Sequence, residues 1–131
     1  MRSTPIPAAA LRDRLTAAGF RLVPGERGEE VYVRAHDRDP RYAIYVYSSI
    51  QRSDKGQSGR DADTVRIVAL HMPHSDSGHT IFRATRIHRS GAIEAVLDRV
   101  IERIREAYAA ISSHRREIGN ATHGAARCRP T

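Results

Sequence analysis

The chain has 131 residues, of which 40% are apolar and 28% charged, and it carries a net charge of +7. That is long enough for one domain with its own core and too apolar for wholesale disorder. No apolar run approaches the roughly 18 residues that a membrane-crossing helix needs, so no membrane partner is expected.

Pro5, Pro7 and Arg12-Asp13-Arg14 interrupt the N-terminus, which does not read as a secretory leader. Cys128 is the single cysteine, so no internal disulfide can form, and the expected setting is the reducing cytoplasm.

Taken in order, residues 1–6 read as a short arm. Pro7 suits a first helical turn, and Leu11, Leu15 and Ala18 fall on one stripe. Gly19-Phe20 is a stop signal, which predicts a helix over 7–18. Phe20-Arg-Leu-Val begins a strand that Pro24-Gly25 ends. The run from Glu29 to His36 alternates, with Val31, Val33 and Ala35 opposed to Tyr32, Arg34 and His36. Asp37-Arg-Asp-Pro40 supplies turn chemistry. Arg41 to Ile50 is the most β-prone stretch, and it is followed by a polar loop over 51–63 and a strand from Thr64 to Met72.

A turn over Pro73–Gly78 leads to a strand from His79 to His88. The short connections predict an antiparallel meander. After Ser90-Gly91, Ile93, Val96, Leu97, Val100, Ile101, Ile104, Ala107 and Ile111 repeat at helical spacing. The fold class is therefore α+β: a four- to five-stranded antiparallel meander in α-β-β-β-β-α order, with an N-terminal and a long C-terminal helix on one face. Residues 1–111 read as one domain and 112–131 as a disordered basic tail.

The positive charge is unevenly placed. Of the 22 basic residues, 21 are Arg, the better phosphate fork, although a GC-rich genome also exchanges Lys for Arg. Residues 20–50 and the 51–63 loop are each neutral, whereas 64–90 carry +3 through Arg66, Arg83, Arg86 and Arg89 against Asp76. This surplus predicts affinity for a polyanion.

If Val31, Val33, Ile44, Val46, Val65 and Ile67 face the helices, the other face presents Tyr32, Arg34, Tyr45, Tyr47 and Arg66. The last strand adds either Arg83 or Arg86, because Ile81 and Phe82 compete to point inward. Tyrosines interleaved with arginines form a platform for bases and phosphates. The candidate nucleic-acid contacts are Arg34, Tyr45, Tyr47, Arg52, Lys55, Arg60, Arg66, Arg83, Arg86 and Arg89. A solvated face, or one buried in a homo-oligomer or against a protein partner, are the competing readings.

Two clusters could carry chemistry. His71, His74, Asp76 and His79 span a hairpin whose strand ends can bring His71 and His79 together. Without a cysteine pair or a fixed-spacing motif they read more simply as turn residues, so neither a metal nor another cofactor is expected. Asp54, Asp61 and Asp63 could hold Mg²⁺ for a nuclease, but the neighbouring strands offer no further acid.

The helix-Gly19-Phe20-strand opening resembles the HicA toxin family, small ribonucleases with a double-stranded-RNA-binding-like fold. The stretch matching that family's essential histidine reads Arg27-Gly28-Glu29-Glu30-Val31, so only a fold analogy carries over. Val46-Tyr47-Ser48-Ser49-Ile50, with Gly59-Arg60-Asp61-Ala62 and Val65-Arg66, is similar to a group of small phage, plasmid and archaeal proteins, over roughly residues 8–110. That resemblance implies a mobile-element setting and assigns no site.

The function expected from the sequence is non-catalytic binding of DNA or RNA, single-stranded for preference. An assembly subunit is the second reading, and a metal-dependent nuclease the third.

Overall fold

A computed structural model describes residues 5–24, 30–49, 62–74 and 77–128. The chain order is α1 (Ala8–Ala17), β1 (Arg21–Pro24), β2 (Glu30–Ala35), β3 (Tyr42–Ser49), β4 (Thr64–His74), β5 (Ser77–Ile87) and α2 (Ile93–Cys128). The strands form one antiparallel sheet in the order β1-β2-β3-β4-β5, the expected meander with five strands. No described helix is long and apolar enough to cross a membrane.

α1 buries Leu11 and Leu15 and ends as its sequence requires. Gly19 adopts φ +90°, its N–H donates to Thr16 O at 3.0 Å, and the Phe20 N–H donates to Leu15 O at 3.0 Å. These two bonds satisfy carbonyls left open at the helix end, and Phe20 packs back into the core. The expected N-terminal arm is partly core: Ile6 is fully buried and exchanges backbone hydrogen bonds of 2.8 and 2.9 Å with Ala62.

α2 lies across β3, β4 and β5 and lines one core with α1 and the sheet. Its inward stripe is Val96, Val100, Ile104, Ala107 and Ile111, all buried. The expected end at Ile111 is corrected, because the helix continues unbroken to Cys128. No glycine or proline interrupts 112–118, and the three- or four-residue stripe has its next position at His114. Arg14 ties the two helices together through Glu94 (3.1 Å) and Asp98 (2.9 Å).

On β3 and β4 the faces are as expected: Ile44, Val46, Val65 and Ile67 are buried under the helices. β2 is turned over. Tyr32 pairs with Val46 and Arg34 with Ile44, so both face the helices, while Val31 and Val33 pair with Tyr47 and Tyr45 on the open side. The reason lies in the partners available. Glu30 is buried and accepts hydrogen bonds from the Tyr32 hydroxyl and from Arg12, and its peptide exchanges bonds with Ser48 Oγ. Burial and the bond to Glu30 push the Tyr32 phenol up to about 12. Arg34 Nη1 donates to Ala18 O at 2.6 Å, and its guanidinium sits 5.3 Å from the centre of the Tyr108 ring. Polar groups satisfied in this way tolerate the buried face.

β5 carries the irregularities. Phe82 pairs with Ala69, but Thr80 pairs with Leu70, so Ile81 is an extra residue. This bulge resolves the competition between Ile81 and Phe82, since both pack against the core. A second bulge sets Thr85 and Arg86 opposite Arg66, and Arg86 takes φ +60° there.

Candidate nucleic-acid interface and histidine cluster

The sheet face away from the helices is built in cross-strand rows. One row runs Arg21, Val33, Tyr45, Val68, Arg83 across all five strands. Four strand spacings separate its two arginines, about 19 Å. The adjacent row holds Val23, Val31, Tyr47 and Arg66 and ends at the Arg86 bulge. Tyr45 and Tyr47, two residues apart on one strand, stack with ring centroids 6.2 Å apart and planes 16° apart. Arg66 extends the stack, its guanidinium carbon 4.5 Å from the Tyr47 centroid. Arg21, Arg66 and Arg83 are exposed. None of the described strand residues on this face is acidic. The face therefore offers aromatic planes with cations beside them and at both margins, a geometry that accepts flat rings and phosphates.

Of the expected contacts, Tyr45, Tyr47, Arg66 and Arg83 come together here, and Arg86 is exposed at the adjoining bulge. Arg34 does not belong, because it is turned toward the helices. Arg89 is engaged with backbone, donating to Gly91 O at 2.7 Å and Pro5 O at 3.3 Å. Arg52, Lys55, Arg60, Asp54 and Asp61 lie outside the described residues. Arg21 was missed, although its position two residues before Val23 in a short strand is the signal that would have found it.

A second cluster lies on the helix side, at the end of the sheet beside the β2–β3 turn. His71 and His79 are cross-strand partners, as the hairpin reading anticipated. The third member is His114 of α2, and one ligating atom from each of the three lies within 4.8 Å of the others. The His74 side chain lies outside the description. The β5 bulge is what turns His79 this way: without the extra residue at Ile81, His79 would fall on the open face.

Tyr42 is buried against the cluster. Its ring stacks on His71 at 4.5 Å, and its hydroxyl shares a 2.7 Å hydrogen bond with His114 Nδ1. His71 is only 6% exposed, and its Nδ1 has no hydrogen-bond partner among the described residues. Burial first, then the fields of His114, His79 and Arg41, hold its pKa below the usual imidazole range. Behind the cluster, Arg41 grips Asp39 with two bonds of 2.9 Å and Arg115 approaches at 3.6 Å. The hydrogen bonds from Arg41 lower the Asp39 carboxyl to about 2.

The chain matches no family model, no curated protein and no solved structure.

Proposed function

We propose that the protein is a non-catalytic binder of single-stranded nucleic acid, DNA or RNA, acting through the open face of its sheet. The observation that carries this reading is the Tyr45–Tyr47–Arg66 stack on the sheet face turned away from the helices, whose described strand residues include no acid. Bases can join this aromatic stack, which is sequence-tolerant, and the arginines at the margins can follow the backbone. A flat sheet suits splayed bases better than the closed grooves of a duplex. The proposed mobile-element setting rests on the Val46–Ile50 and Gly59–Arg66 sequence pattern alone.

Titration of a labelled single-stranded oligonucleotide tests the reading. Tyr47→Ala should weaken binding by about 1–3 kcal/mol, the usual value of one base–aromatic stack. Arg66→Ala and Arg83→Ala should weaken it further, while Arg105→Ala on the exposed side of α2 should change nothing. No binding at about 50 mM salt, or binding indifferent to Tyr47 and Arg66, would remove the proposal.

A second reading has its own support. Val23 and Val31, both partly exposed, lie in the row of Tyr47 on this same face, so a second copy or a protein partner could cover it. Light scattering that finds a stable oligomer, together with no oligonucleotide shift, would favour assembly.

A further inference from the structure

We propose that His71, His79 and His114 form a binding site for a divalent transition-metal ion of the zinc class, with three protein nitrogens and one open coordination position. The site is independent of the nucleic-acid face and lies on the other side of the sheet.

Convergence is the first argument. The three histidines come from β4, β5 and α2, so no single turn explains their meeting. Three imidazole donors favour zinc-class ions over Mg²⁺ or Ca²⁺, which prefer oxygen donors. Nitrogens bonded at 2.0–2.1 Å in a tetrahedron stand about 3.4 Å apart. From separations of at most 4.8 Å, side-chain rotation closes the remaining gap of about 1.4 Å.

His71 itself points the same way. A nine-tenths-buried imidazole with an unpartnered Nδ1 is a costly way to fill a core position that an apolar side chain would fill more cheaply. A metal ion gives that imidazole the lone-pair partner that the described residues do not supply.

The surroundings have the character of a supporting shell. Metal-bound histidines generally have their other ring nitrogen held by an oxygen, and the Tyr42 hydroxyl holds His114 Nδ1 in this way, leaving Nε2 as the ligating atom. Asp39, the carboxylate beside the cluster, is committed to Arg41 and Arg115 and does not complete the set. The fourth position faces outward, because His79 is exposed and His114 half-buried. A bound ion would clamp the β4–β5 hairpin to the C-terminal half of α2, and its open position would be available to water or to an anionic group.

The test uses the full chain stripped with a chelator and titrated with Co²⁺, then with Zn²⁺. The expected result is saturation at one equivalent per chain, with visible absorption of low-symmetry Co²⁺ that Zn²⁺ abolishes. His79→Ala alters an exposed residue, and His114→Gln keeps a polar side chain beside Tyr42, so both variants are expected to keep the native circular dichroism. Each should weaken Co²⁺ binding by more than about 10- to 100-fold, the loss that removing an outer-shell partner already produces. His88→Ala, outside the cluster, should bind as the parent does. Absence of one-equivalent binding by the parent chain, or unchanged affinity in His79→Ala and His114→Gln, overturns the proposal.

Discussion

Gly19 shows how much one backbone angle decides. At φ +90°, a Cβ there would be strained and would also stand 3.2 Å from the Arg34 guanidinium that caps Ala18 O. Gly19→Ala should therefore cost about 1–3 kcal/mol in urea unfolding, the range for a non-glycine residue held in the left-handed region. Asp39 is a residue whose titration bears on acid stability. Its folded pKa of about 2 lies below the ordinary 3.8, so its contribution is present above pH 3.8 and is lost as pH falls toward 2. In Asp39→Asn that acid loss should shrink, which unfolding curves at pH 5, 4, 3 and about 2 would show as a flatter dependence.

At the scale of elements, α2 and the β4–β5 hairpin hold the molecule together. Ile111 is fully buried on the α2 stripe one turn before His114. Ile111→Ala should cost about 2–5 kcal/mol and loosen the helix segment that carries His114. Calorimetry gives the first quantity, and hydrogen exchange across 112–119 gives the second. The β5 bulge works in the opposite sense: it interrupts the ladder, yet that interruption lets Ile81 and Phe82 both reach the core and brings His79 beside His71.

For the whole molecule, placement of charge matters more than its net value. The +7 is a property of the full chain, but the proposed face uses Arg21, Arg66 and Arg83, cations spread over three strands. Three phosphate contacts with a single strand imply a slope of about −2 in log affinity against log salt. A measured slope near that value fits this face alone. A much steeper one would mean that arginines elsewhere share the binding.

Much of this architecture was legible along the chain. Gly19-Phe20 announced the end of α1, Ile93 to Ile111 traced the α2 stripe, and the β-prone runs with short connections implied the meander. These are local signals, because helix periodicity, a left-handed glycine and strand alternation depend on near neighbours. Tyr45, Tyr47 and Arg66 were also readable, since alternation from buried Ile44 and Val46 places them on the other side.

Three features needed the tertiary structure. β2 presents Tyr32 and Arg34 inward because Glu30, Arg12, Ala18 and Tyr108 satisfy their polar ends, and of these partners only Glu30 lies within β2. His79 joins His71 on the helix side through a bulge, a one-residue slip that the sequence of β5 does not announce. His114 lies 35 residues beyond His79 and meets it only because α2 runs back over the sheet. Periodicity and turn chemistry, being local, determined the elements and their order. The faces of β2 and the histidine cluster were decided in three dimensions, where residues far apart in the chain supply one another's hydrogen bonds and contacts.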